Sequence, residues 1–307
     1  MNRILVTGGT GQVGLELARI TWPQGVELVF PDRGALDLGN RSSIVKIFEN
    51  EVWDAVINCA AYTAVDAAED DVANAFLYNA QGPAWLAETA YRAGASFIQI
   101  STDYVFDGLA LEPYSECASV APVGAYGASK LAGELAVRAA HPRAIVLRTA
   151  WVLSAHRNNF LKTMLRLGAE RRSLGVVADQ LGCPTSAADI AHAVSTILLQ
   201  QLSDPDAPFG VYHFVNAGEA TWHELACMIF DKASQYGAPM PEVAKVGTAD
   251  YPTRARRPAN SRLQTGRIAD DFGIIPRPWQ FAVAEIVEEL CSGDWSTAVG
   301  STKIGEN

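Results

Sequence analysis

Ile4-Leu5-Val6-Thr7-Gly8-Gly9-Thr10-Gly11-Gln12-Val13-Gly14-Leu15-Glu16-Leu17-Ala18 is the stretch on which the fold turns. An aliphatic run at 4–6 passes at once into Gly8, Gly11 and Gly14, spaced by three, and then into a helical pattern over 15–18. Strand, glycine turn and helix in that order make a cradle for a pyrophosphate. One glycine permits the tight turn, one lets the backbone approach phosphate oxygens, and one lets the helix sit close on the strand. The helix N-terminus adds unpaired N–H groups and partial positive charge.

The same grammar repeats downstream. Apolar runs at 26–30, 55–57, 97–100 and 145–147 are separated by helical patterns at 41–51, 73–93 and 126–140. Strands that are continuously apolar and alternate with helices indicate a parallel sheet covered on both faces. The expected fold is α/β, a Rossmann-like doubly wound parallel sheet with a smaller α/β substrate lobe. Regularity weakens after residue 150, with further helical patterns at 159–170, 188–202 and 223–236 and a Pro- and Arg-rich stretch at 247–258. We therefore assign 1–150 to the dinucleotide domain, rejoined by about 176–210, and 151–175 with 211–290 to the smaller lobe. Residues 291–307, polar and small apart from Trp295, read as a flexible tail.

Composition narrows the function. The 307 residues are 49% hydrophobic and 19% charged, which suits a compact soluble chain, and the net charge of −10 disfavours nucleic acid as a partner. Cys59, Cys117, Cys183, Cys227 and Cys291 form no C-x-x-C pair and no zinc spacing, so they read as reduced thiols. No apolar run approaches the ~18 residues of a membrane span, and no signal-peptide pattern opens the chain. The expected compartment is the cytoplasm, with no membrane partner.

Asp32 lies eighteen residues past Gly14, where a carboxylate would bond the adenosine ribose of NAD. Arg33 follows, and a guanidinium there would instead grip the 2′-phosphate of NADP, so NADH and NADPH both stay open. A solvated charge pair after a strand is the simpler alternative. Tyr126 and Lys130 stand four apart at the start of a helix, on one face. Free tyrosine titrates near ~10, and a close ammonium favours its ionised form, so the pair suits a general acid.

The glycine turn with Tyr126-x-x-x-Lys130 resembles the extended short-chain dehydrogenase/reductases. Ser101-Thr102-Asp103-Tyr104-Val105-Phe106-Asp107-Gly108, directly after the run at 97–100, is more specific and resembles the dTDP-4-dehydrorhamnose reductase family. Further blocks follow in the same order: Ala60-Ala61-Tyr62-Thr63-Ala64-Val65-Asp66, Arg148-Thr149-Ala150-Trp151-Val152, Asp179-Gln180-Leu181-Gly182-Cys183-Pro184-Thr185, and Arg257-Pro258-Ala259-Asn260-Ser261-Arg262-Leu263. The resemblance spans roughly residues 3 to 285.

That resemblance implies NAD(P)H-dependent reduction of the 4-keto group of dTDP-4-dehydro-L-rhamnose to dTDP-L-rhamnose, with a dTDP-sugar as the partner molecule and a monomer or homodimer as the assembly. It implies Tyr126 as proton donor, Lys130 as the group that lowers the phenol's pKa and holds the nicotinamide ribose, and Thr102 as a hydroxyl on the carbonyl oxygen. Asp103, Trp151 and Arg257 are its substrate candidates, for sugar orientation, an apolar ring face and the diphosphate. Cofactor contacts carried over are Gly8, Gly11, Gln12, Val13, Asp37, Leu38, Ala60, Ala61 and Thr63, besides Tyr126 and Lys130; Gly14, Asp32 and Arg33 come from the turn itself. A core tryptophan and a solvated basic loop at 254–257 are the plainer readings of Trp151 and Arg257. Some members dimerise through carboxylate-bound Mg²⁺. Only Glu16 has a match, so no metal ligand is assigned and Mg²⁺ stays optional. A sibling reductase or epimerase of another NDP-4-keto sugar, and a non-catalytic subunit resembling that of methionine adenosyltransferase, remain alternatives.

Overall fold

The computed structural model describes residues 1–292. Five strands open the chain: β1 (Asn2–Thr7), β2 (Val26–Val29), β3 (Ala55–Asn58), β4 (Ser96–Thr102) and β5 (Ile145–Thr149). With Gly210–His213 they build one six-stranded sheet, in the order Gly210–His213, β5, β4, β3, β1, β2, every neighbouring pair parallel. The helices are α1 (Gln12–Arg19), α2 (Arg41–Asn50), α3 (Val72–Phe76), α4 (Gly82–Arg92), α5 (Ala125–Ala140), α6 (Phe160–Glu170), α7 (Ala187–Ser203), α8 (Trp222–Ser234), α9 (Gly266–Phe272) and α10 (Trp279–Cys291).

The pleat decides which helix covers which face. Ile4, Val6, Ile57 and Ile98 point to a core completed by Leu17 of α1 and by Ile190, Val194 and Ile197 of α7. The alternate residues Leu5, Val56 and Phe97 face Ile44 of α2, Leu86 of α4 and Val137 of α5. Each of these side chains is fully buried, so truncating one to Ala costs about 2–5 kcal/mol. A buried polar ladder fixes the register at the carboxyl ends: Thr7 donates to Asn58, and Asn58 Nδ2 to Gln99 Oε1 at 2.7 Å. β1 has β2 on one side and β3 on the other, so the chain reverses its winding there, and the crevice above that switch point is where open α/β sheets take ligands.

Two expectations change. Gly210–His213 pairs with β5, and Tyr212 and Phe272 of α9 meet edge to face at 5.0 Å in the core shared with α7, so these segments return to the main sheet instead of continuing the smaller lobe. The period of so short a strand is too brief to show which sheet it joins. The helix expected over 73–93 breaks into α3, a π-turn at Leu77–Gln81 and α4. Pro83 has no N–H for the Asn79 carbonyl, and that carbonyl lies against Gly133 of α5, where no side chain fits.

The smaller lobe gathers α6, α8 and α10 around Leu161, Leu165, Leu225, Ile229 and Val287, with a parallel pair Ser173–Val177 and Glu242–Val246. Thr221 and Glu224 form a reciprocal capping box at the start of α8. Among the described residues no helix is long and apolar enough to cross a membrane. The tail expected at 291–307 falls outside the described residues except for Ser292 and Cys291, the latter the buried last residue of α10.

Candidate active site

The glycine turn has no room for side chains. Gly8 adopts φ +69°, and a Cβ on it would lie 2.6 Å from the Ala60 nitrogen, so β1 and the loop after β3 approach closely only with glycine there. A Cβ on Gly14 would meet the Gly8 carbonyl and come within 2.7 Å of Gly9 Cα. Gly11 caps α1 and donates its N–H to Gly8 O at 2.9 Å. What remains is bare backbone at a helix N-terminus, which fits a pyrophosphate.

Beside the turn lies a cleft of about 690 Å³. Gly8, Asp32, Arg33, Asp37, Leu38, Ala60 and Ala61 line it as expected, together with Phe30, Tyr62, Asn74 and Tyr78, which the motif reading missed. Gly11, Gln12, Val13, Gly14 and Thr63 are not in its wall. The Val13 side chain is in the core, so it offers only main chain, and Gln12 Oε1 accepts from Ser154 Oγ at 3.0 Å and Asn159 Nδ2 at 2.9 Å. Thr63 is exposed on the following loop. Asp32 Oδ1 accepts from the Ala35 N–H at 2.8 Å within its own turn, and the residue is exposed. Arg33 lies over the Tyr78 ring, its guanidinium carbon 4.9 Å from the centroid, and donates to the Tyr78 hydroxyl.

At the carboxyl end of β4 the reacting groups converge. Thr102 ends the strand, donates its hydroxyl to Asp103 Oδ1 at 2.9 Å and accepts from the Tyr104 N–H at 3.2 Å. Tyr126, in the first turn of α5, packs edge to face on Tyr104 at 5.5 Å. Burial holds its phenol well above the usual tyrosine range, the Asp103 carboxylate pushes it the same way, and a hydrogen bond with Thr102 opposes both. Asp103 is 3% exposed, and burial raises its carboxyl from 3.8 to about 6 against the hydrogen bonds it receives. Its Oδ2 has no hydrogen-bond partner.

Lys130 departs from the expected role. Its Nζ donates to the Ile100 carbonyl at 2.7 Å, and the groups that act on the phenol are burial, Asp103, Thr102 and Tyr104. A buried ammonium needs an acceptor, and the Ile100 carbonyl within β4, which also accepts from Gln99 Nε2 at 2.9 Å, supplies one. Burial pushes Lys130 down to about 8, while Glu134 and Cys59 act upward. Asn79, inside the π-turn, bonds both the N–H and the carbonyl of Tyr62 and donates to Ser129 at 2.9 Å, tying the loop after β3 to α5. No local spacing marks it; its partners are 17 and 50 residues away.

The substrate candidates are more fully engaged than expected. Trp151 stacks on Trp222, centroids 3.5 Å apart and planes 8° from parallel, and a Cβ on Gly182 would come within 2.6 Å of the indole nitrogen. One ring face is therefore spent inside the protein, and the residue holds a left-handed φ of 47°. Arg257 donates to the Tyr104 hydroxyl at 2.9 Å and to Asp66 Oδ2 at 2.6 Å, while Asp66 Oδ1 accepts from the Ala255 N–H at 3.0 Å. Arg257 thus clamps the smaller lobe to the loop after β3, with Asp66 as the partner that motif reading passed over. Glu16 does not fit a metal site. Arg19 lies 3.7 Å and His156 3.5 Å from its carboxylate, and among the described residues no cluster of three His, Cys, Asp or Glu could hold an ion.

The family model for the RmlD substrate binding domain matches residues 1–292. A dTDP-4-dehydrorhamnose reductase of Burkholderia thailandensis is 43% identical over 298 residues, covering 94% of this chain and 99% of its own. One from Aggregatibacter actinomycetemcomitans is 40% identical over 289 residues, covering 93% and 98%. The solved dTDP-4-dehydrorhamnose reductase of Bacillus anthracis, in complex with NADP, superposes with a TM-score of 0.87 at 35% identity, covering 94% of this chain and all of that one.

Proposed function

Because the chain belongs to the dTDP-4-dehydrorhamnose reductase family, we propose that it reduces the 4-keto group of dTDP-4-dehydro-L-rhamnose to give dTDP-L-rhamnose, in the cytoplasm and with NADPH preferred. The observation that carries the reading is the meeting of Thr102, Asp103 and Tyr126 at the carboxyl end of β4, beside a glycine turn too tight for any side chain. A reduced nicotinamide dinucleotide in the cleft supplies the hydride. The chain supplies the proton and the position.

Tyr126 holds its proton firmly because burial and Asp103 both disfavour the phenolate. A fully protonated phenol is the form that a keto oxygen needs as it turns into an alkoxide, which is the stronger base and takes the proton. Thr102, whose single proton is held by Asp103 in the free protein, would serve as the second hydroxyl at that oxygen by turning that proton from Asp103 toward it. Lys130, whose Nζ donates to the Ile100 carbonyl, would hold the nicotinamide ribose with its remaining N–H groups. Arg33, which bonds Tyr78 and lies 3.8 Å from Asp37, lines the cleft, where its guanidinium would meet a 2′-phosphate.

The test is direct. Purified protein is given dTDP-4-dehydro-L-rhamnose with NADPH or NADH, nicotinamide oxidation is followed by absorbance, and the product sugar is identified. Turnover to dTDP-L-rhamnose, faster with NADPH at limiting cofactor, is expected; no turnover with either cofactor refutes the reading.

A further inference from the structure

Tyr126, Lys130 and Glu134 follow one another at intervals of four along α5, and the third of them is not used by the chemistry above. Glu134 is 2% exposed. Arg148 of β5, 4% exposed, meets it with two hydrogen bonds, Nε to Oε1 at 2.9 Å and Nη2 to Oε2 at 2.6 Å, and Ser101 of β4 donates to Oε1 at 2.6 Å. Ser101 and Arg148 are register partners, one residue before Thr102 and Thr149. A buried pair of this kind adds little net stability over an apolar pair of the same size, because desolvation of both charges offsets their attraction. Its retention directly beneath the reacting residues calls for another account.

We propose that the buried Glu134–Arg148 pair is a positioning element for the reaction, holding α5 in register with the end of β4 and setting the balance of charge around Lys130. This rests on the reading of Tyr126 and Lys130 as the reacting pair. The geometry carries it: the helix bearing both residues is bolted through Glu134 to the strand bearing Thr102. The groups facing this region, among the described residues, are few. From β4 comes Ser101, from the turn after it Asp103, from β5 Arg148, from the loop after β3 Cys59, from Gly210–His213 His213 with Glu116 accepting from its N–H, and from α5 Tyr126, Lys130 and Glu134 itself. His213 Nε2 lies 3.4 Å from Arg148 Nη1, and burial followed by that guanidinium presses it down to about 3, so it is neutral. Burial pushes the Cys59 thiol up to about 12, so it is neutral as well. Glu134, one turn along α5 from Lys130, is therefore the carboxylate that acts to keep Lys130 an ammonium, and Arg148 is the cation paired with it.

The experiment measures NADPH affinity by fluorescence from pH 6 to 10, in the full chain and with no substrate, so that it reads the Lys130 ammonium apart from turnover. Glu134→Gln removes the negative partner and leaves Arg148, so the basic limb of affinity moves acid by about one pH unit. Arg148→Met leaves Glu134 uncompensated and moves the limb the other way. The double variant places a neutral pair in the same site, relieves the cost of desolvating two charges, and returns the limb to near the wild-type position. A merely structural role predicts loss at every pH in both single variants and no opposed movement. Limbs that shift in the same direction, or stay in place in folded variants, overturn the proposal. If one single variant fails to fold, the direction of the other against the double decides. NADPH binding without turnover by the wild type would sink the reductase reading alone, while turnover with unmoved limbs would sink only this one.

Discussion

Asp103→Asn should stabilise the protein at neutral pH while impairing it as a reductase, and the size of the effect follows from burial. The side chain is 3% exposed, its Oδ2 lacks a partner, and its carboxyl is raised from 3.8 to about 6. The folded state therefore binds this proton more tightly than the unfolded chain does, so the group lowers stability as pH rises between those two values. Below 3.8 both states are protonated and the cost is absent; above about 6 it is fully present. A shift of this size corresponds to roughly 3 kcal/mol at pH 8 and about 1 kcal/mol at pH 4.5. Asn keeps the acceptor for Thr102 but leaves a buried amide N–H₂ unpaired, a constant penalty of about 1–3 kcal/mol that does not depend on pH. The informative quantity is thus the change with pH and not the difference at one pH. Urea unfolding of wild type and variant at pH 4.5, 6 and 8 should show the variant gaining about 2 kcal/mol on the wild type from the lowest to the highest pH. A difference that is flat with pH, or that moves against the variant, would show that Asp103 titrates normally and that the burial argument is wrong. Turnover of the stabilised variant should fall, because the amide no longer offers the negative charge that orients Thr102.

Tyr126→Phe should leave NADPH affinity within about twofold and lower turnover by roughly 10²–10⁴, the range of a lost general acid; turnover near wild type would place the proton donor elsewhere. Gly14→Ala forces a methyl against the Gly8 carbonyl, so we expect a loss of about 1–3 kcal/mol in stability with weakened NADPH binding, read by thermal melts with and without cofactor. Arg33→Ala should raise KM for NADPH about tenfold and leave NADH nearly unchanged, and an equal effect on both cofactors would remove Arg33 from the 2′-phosphate.

Legibility from sequence tracked how local each constraint is. The glycine turn could be read because Gly8, Gly11 and Gly14 are demanded by backbone approach within one short stretch, and each has the clash that the motif implies or caps the helix it opens. That the main sheet is parallel and covered on both faces followed from its continuously apolar runs separated by helices, whereas the order of its strands, and the return of Gly210–His213 to its edge, are set by pairings that no single run reveals. Tyr126 and Lys130 lie within one turn of helix and so share a face, while the family resemblance, not the topology, singled out Thr102 at the strand end beside Tyr126. What stayed hidden depends on pairs far apart in the chain. Asp66 reaches Arg257 across 191 residues, and Arg148 reaches Glu134 between different elements, so neither residue type at its own position announces a partner. The direction of Lys130 was hidden for a further reason. Spacing puts a side chain on a face, but a buried ammonium turns to an acceptor within reach, and here that is the Ile100 carbonyl of β4, which also accepts from Gln99 Nε2. The same logic explains why Arg257 and Trp151 read too simply as free ligand contacts. Arg257 stands where the two lobes meet, and Asp66 and Tyr104 receive its guanidinium, whereas Trp151 stacks on Trp222 against the smaller lobe's own core. A ligand that reaches Arg257 therefore has to compete with the bonds it already makes to Asp66 and Tyr104.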